Sequence, residues 1–102
     1  MTSRYVLAPE TARDLVDIWF YIKNQTDKKV ADRIESAIRN RIEFLANHPG
    51  VGHWRRDLTE LEVKFFPVFS YLIVYRHKTK PLQVISILHG RRDVEKILQT
   101  RP

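Results

Sequence analysis

The stretch Ile85-Ser86-Ile87-Leu88-His89-Gly90-Arg91-Arg92-Asp93 decides how this chain is read. An apolar run rich in β-branched residues stops abruptly at a histidine, a glycine and two arginines. The run reads as a buried strand over Leu82 to His89. Its C-terminal end delivers polar and cationic side chains to one edge of a sheet. Core packing does not call for His-Gly-Arg-Arg-Asp there, because arginine is rarely fully buried unless it is paired. The stretch therefore reads as a strand end carrying a site. Gly90 suits a backbone turn off the strand.

Working towards the N-terminus, Lys78-Thr79-Lys80-Pro81 is a polar turn closed by proline. Before it, Tyr71 to Arg76 is β-rich throughout and reads as a central strand. Leu61 to Phe66 alternates, with Leu61, Val63 and Phe65 on one side. Short links between these three runs imply antiparallel hairpins. Val51 to Thr59 reads as a loop. In it Trp54 either packs against the sheet edge or offers a ring for a base to stack on.

Two helices precede the loop. Val30, Ala31, Ile34, Ala37, Ile38, Ile42 and Leu45 form one apolar stripe, and Asn47-His48-Pro49-Gly50 stops it. Ala12, Leu15, Ile18, Trp19 and Ile22 form another, opened by Pro9 and Glu10. Asn24 to Asp27 separates them, with Thr26 or Asp27 as the cap of the helix that follows, the one from Val30. Trp19 and Phe20 are neighbours, so one faces inward and the other contributes to an apolar surface. Arg4 to Ala8 is a short first strand, and Asp93 to Leu98 adds a helical turn or lies along the sheet. The expectation is an α+β fold: one domain over residues 1–102, with a helical hairpin on a small antiparallel sheet in the order β-α-α-β-β-β and a short C-terminal tail.

Composition narrows the function. At 102 residues the chain suffices for one modest core. A hydrophobic content of 43% and a charged content of 29% suit a soluble globule. No apolar run approaches the ~20 residues that span a bilayer. Met1 to Val6 lacks a signal-peptide core and there is no cysteine, which points to the cytoplasm. The formal charge of +6 favours nucleic acid or an acidic protein as partner. The four histidines are scattered and lack helical ligand spacing, so no metal and no cofactor is expected.

Four segments in this order resemble the RelE/ParE superfamily of bacterial toxins from type II toxin–antitoxin systems. They are Ala12-Arg13-Asp14-Leu15 through Ile18-Trp19-Phe20-Tyr21-Ile22; Leu45 to Gly52 with Arg55-Arg56-Asp57-Leu58; Tyr71 to Arg76; and Ile87 to Asp93. The last resembles the ParE-type ending. The resemblance covers nearly the whole chain. It implies a cognate antitoxin, ParD-like or similar, and either a homodimer or a toxin–antitoxin heterotetramer.

The superfamily holds two activities. ParE-like members poison DNA gyrase by binding; RelE-like members cleave mRNA on the ribosome. A ParE-like reading makes Arg91, Arg92 and His89 the target-binding residues. A metal-independent endoribonuclease would instead use His89, Arg76, Arg91 and Arg92 as acid, base and phosphate clamps, provided they converge on one face. No tyrosine follows Tyr75, which weighs towards gyrase. A third reading is a non-toxic module that only binds antitoxin. For antitoxin contact, Leu15, Trp19, Ile22, Val30, Ile34 and Ile38 form the expected groove or the core beneath it.

Overall fold

A computed structural model describes residues 4–89 and 94–101. Its elements are β1 (Tyr5–Leu7), α1 (Pro9–Gln25), α2 (Lys28–Asn47), a 3₁₀ turn (Pro49–Val51), β2 (Lys64–Val68), β3 (Tyr71–Arg76), β4 (Leu82–His89) and α3 (Val94–Gln99). The fold is α+β and its order is the expected one. Pro9 occupies the first turn of α1. Of the two candidates for capping α2, Asp27 takes the role, and Thr26 instead ends α1. The Thr26 hydroxyl donates to the Ile22 carbonyl at 2.7 Å and closes α1. The Asp27 carboxylate accepts from the Val30 N–H at 2.9 Å and opens α2.

The sheet order is β1-β4-β3-β2. β2, β3 and β4 are antiparallel neighbours, as their short links require. β1 corrects the expectation of a wholly antiparallel sheet, because it pairs parallel with β4 through Tyr5↔Leu82 to Leu7↔Val84. β1 enters the sheet through the helical hairpin rather than a tight turn, so no turn dictates its direction. A second correction concerns β2, which begins at Lys64 and runs to Val68 rather than spanning Leu61 to Phe66. Leu61 is 41% exposed, whereas Val63 and Phe65 are buried. The Val63 N–H bonds the Leu61 carbonyl at 2.9 Å, so the chain turns there before it joins the ladder. Pro67 is tolerated because β2 is an edge strand.

Both faces of the sheet are covered. Leu15, Ile22, Ile38, Ile42 and Leu45 of the hairpin pack with Tyr71, Ile73, Tyr75, Leu82, Val84 and Ile87. On the other face Val94 and Leu98 of α3 pack with Val63, Phe65, Val74, Ile85 and Leu88. The tail therefore forms a helix and closes a second layer of core.

A bulge links these two faces. Tyr75 pairs with Val84 and Val74 with Ser86, so Ile85 has no partner on β3. One extra residue reverses the alternation of side chains. Leu82 and Val84 face the hairpin before the bulge, and Ile87 faces it after. Ile85 and Leu88 face α3. His89 consequently shares the hairpin face with Ile87. Among the described residues no helix is long and apolar enough to cross a membrane.

Candidate functional site

The C-terminal end of β4 meets the start of β3, where Tyr71 pairs with His89. Their rings lie 5.6 Å apart and nearly perpendicular. Beside them opens a cleft of about 410 Å³, lined from the sheet by Tyr71, Ile87 and His89 and from α1 by Asp14, Asp17, Ile18 and Tyr21. The α1 residues stand at i, i+3, i+4 and i+7, one face of a helix. Burial raises the Tyr71 phenol above its ordinary pKa, and the neighbouring Tyr21 adds to the shift. Tyr71 thus remains a neutral phenol at physiological pH.

The turn before Tyr71 exposes a further aromatic. Phe69 and Ser70 link Val68 to Tyr71, which are paired. Phe69 has φ 55° and is 66% exposed. Positive φ at the first position of a two-residue hairpin is the place of glycine. Arg91 and Arg92, the expected target-binding cations, lie outside the described residues.

Arg76 does not join His89. It pairs with Gln83 at the opposite end of β3, five residues from Tyr71, roughly 16 Å along the strand. Tyr71, Ile73 and Tyr75 face the hairpin. Arg76 therefore alternates onto the α3 face with Leu72 and Val74. Of the nuclease set, Arg76 and His89 are therefore separated by both end and face.

The six expected antitoxin residues separate by depth. Leu15, Ile22 and Ile38 are buried in the core. Trp19, Val30 and Ile34 are partly buried against it. Trp19 donates from its indole nitrogen to Asp32 at 2.8 Å and so ties α1 to α2. The outward member of the aromatic pair is Phe20, which is 52% exposed beside Val16 and Tyr21.

Trp54 meets His77 edge to face at 5.0 Å, and the cations of Arg56 and Lys64 sit over its ring at 4.6 and 5.1 Å. The ring keeps these contacts within the chain while 41% of the residue stays exposed. Burial lowers the His77 pKa, with Lys64 and Lys78 adding to the effect. Among the described residues no group of three or more His, Asp or Glu could hold a metal ion.

Two polar constellations escaped the sequence reading. Asp14 and Arg101 form a two-pronged ion pair at 3.0 and 3.1 Å, with side chains only 17% and 14% exposed. Asp14 also accepts the Ile87 N–H at 3.1 Å, and Arg101 donates to the Ile85 carbonyl at 3.1 Å. The pair satisfies main-chain groups of β4 beyond the reach of the three-residue β1. The second is at Tyr75. Its hydroxyl donates to the Pro49 carbonyl at 2.8 Å and accepts the Gly52 N–H at 2.9 Å. A Cβ on Gly52 would overlap that hydroxyl, which explains the glycine. Burial raises the Tyr75 pKa, offset in part by the Gly52 bond.

The chain matches, over residues 5–94, the family described as ParE toxin of type II toxin-antitoxin system, parDE. This chain belongs to the ParE toxin family. Its fold agrees. A solved structure titled "Chromosomal ParDE TA system from P. aeruginosa" superposes with a TM-score of 0.71 at 18% identity, covering 85% of this chain and 98% of that one. No curated protein gives a significant match. In this ParE-family chain the matched region includes the His89 cleft and the Tyr75 anchor. It ends at Val94, before Arg101.

Proposed function

We propose that this chain is the toxin of a ParDE-type pair, that it inhibits DNA gyrase by binding, and that a cognate antitoxin neutralises it. The family match over residues 5–94 carries this reading. The separation of Arg76 from His89 supports binding over RNA cleavage, because a nuclease needs its acid, base and phosphate clamps around one phosphate. On this reading the chain works in the cytoplasm without a cofactor. Gyrase meets it at the His89 end, through Arg91, Arg92 and the surface around them.

The antitoxin is an acidic, partly disordered segment that folds on the helical hairpin. The +6 charge attracts it. Val16, Phe20 and Tyr21 offer it apolar surface on α1.

Two assays run on the same preparation test this. One follows gyrase supercoiling and accumulation of cleaved DNA; the other follows translation with mapping of mRNA ends. Loss of supercoiling with accumulated cleavage complex and intact mRNA is expected. Ribosome-dependent mRNA cuts with normal gyrase activity would overturn the proposal. Inertness in both assays, with antitoxin binding retained, would reduce the chain to a binding module.

A further inference from the structure

We infer that the end of the sheet at the β3–β4 turn is a docking surface for the phosphate backbone of duplex DNA. The distribution of charge carries the inference. No aspartate or glutamate occurs between Glu62 and Asp93, and that span holds six cations: Lys64, Arg76, Lys78, Lys80, Arg91 and Arg92. The other 12 cationic residues are matched by the 12 acidic ones, so this span supplies the whole excess of +6. The helical hairpin, residues 9–47, carries seven of each sign. The excess therefore lies off the face assigned to the antitoxin.

The fold gathers four of the six at one end. Lys64 opens β2 opposite Tyr75, and Arg76 closes β3 next to it. Lys78 and Lys80 are exposed on the turn to β4. The turn is braced by Thr79, whose hydroxyl donates to the Arg76 carbonyl at 3.1 Å and accepts the Gln83 N–H at 2.9 Å. None of the four cations has an ion-pair partner among the described residues. Glu62, just before β2, is taken up by Arg56 at 3.2 Å. Besides burial, Lys64 and Lys78 lower the His77 pKa, with Glu62 opposing, so two of these cations act on one ring. Lys64 gives one of its three donors to the Gly50 carbonyl at 3.0 Å and keeps the others for a ligand.

Neighbouring strands lie about 4.8 Å apart, so the ends of β2, β3 and β4 spread these charges over roughly 10 Å. Duplex DNA carries one negative charge per ~1.7 Å of its axis. Such a cluster neutralises about three or four phosphates at once and reads no sequence. The choice of DNA among polyanions rests on the gyrase reading, because gyrase works on duplex DNA. On that reading the His89 end meets the enzyme and the opposite end of the sheet meets its DNA.

The test uses the full chain, made by cell-free synthesis, and a fluorescent DNA duplex of arbitrary sequence, with anisotropy read across a salt series. Saturable binding is expected, weakening roughly 40–150-fold from about 50 to 200 mM salt, as three or four phosphate contacts require. Lys78→Gln/Lys80→Gln should keep the parent's circular dichroism and reduce the log–log salt slope by about two. Lys29→Gln/Arg33→Gln removes the same charge from exposed positions early in α2 and should leave the slope unchanged. No gyrase is present, so the result bears on the contact alone. A failed supercoiling assay beside intact DNA binding would strike the gyrase reading instead.

The inference is overturned if no saturable binding occurs at the lowest salt, if Lys78→Gln/Lys80→Gln keeps the parent's slope, or if both double variants lose slope equally. Displacement of the DNA by polyglutamate at equal charge would overturn it in favour of an acidic protein. Tighter binding of a duplex RNA of the same length would overturn it in favour of RNA.

Discussion

At the scale of single residues, the sharpest constraints surround Tyr75 and Phe69. Tyr75 is a fully buried ring whose hydroxyl gathers the chain after α2 through Pro49 and Gly52. The spacing Pro49-Gly50-Val51-Gly52 thus follows from one phenol on a central strand. Tyr75→Phe removes the acceptor of one N–H and the donor to one carbonyl, and is expected to cost about 1–3 kcal/mol in urea melts. An unchanged midpoint would show that the anchor does not form. Phe69 presents the opposite case. Its positive φ is a left-handed conformation that glycine adopts freely and a bulky residue adopts at a cost. Phe69→Gly should therefore stabilise the fold, by about 1 kcal/mol, despite the loss of a large side chain. Its ring is mostly exposed, so little packing is lost. A destabilised Phe69→Gly protein would refute this account of the turn.

At the scale of elements, β4 organises the molecule. Ile73 and Ile87 pair directly across β3 and β4, and both are buried beneath the hairpin. Each truncation to alanine should cost about 2–5 kcal/mol by opening a cavity. Because the two side chains share one site, the double variant should lose measurably less, or more, than the sum of the singles. Negligible losses for both singles would show that this pairing is not at the core. The bulge at Ile85 sets which way the later residues of β4 face. Without the extra residue, Ile87 and His89 would face α3 instead of the cleft. The Asp14–Arg101 pair seals the same region by bonding Ile85 and Ile87. Arg101→Ala leaves a largely buried carboxylate without its cation and should cost about 1–3 kcal/mol in the same melts. A neutral result would mean that the last turn of the chain is not docked on the sheet.

At the scale of the whole molecule, the hairpin on one face and α3 on the other leave the His89 end of the sheet as the meeting point of cleft, turn and tail. On the binding reading, growth assays should find Arg91→Ala/Arg92→Ala inactive while its circular dichroism and urea melt match the parent's. His89→Gln should arrest growth nearly as well as the parent, since on the binding reading His89 shapes the surface and transfers no proton. A nuclease that used His89 as acid or base would lose roughly 10²–10⁴-fold in rate from that change. A folded His89→Gln protein with no toxicity would count against the gyrase reading.

Much of this was legible in the residues themselves. The two apolar stripes at 3.6-residue period, the β-rich runs and the Pro–Gly punctuation are local signals, and they specify helices, strands and order because each depends only on near neighbours in the chain. The Asp14-Asp17-Ile18-Tyr21 face was also written in the spacing, but a polar helix face looks the same whether it borders a cleft or open water. The rest depended on contacts between residues far apart. Asp14 and Arg101 are 87 positions apart, and no local pattern marks two ionisable residues as partners. The parallel entry of β1 follows from how the hairpin returns the chain to the sheet. The bulge at Ile85 is hidden in a continuous apolar run, where alternation cannot show which face a residue takes. Only the pairing of β4 with β3 decides that, and with it the face on which His89 stands.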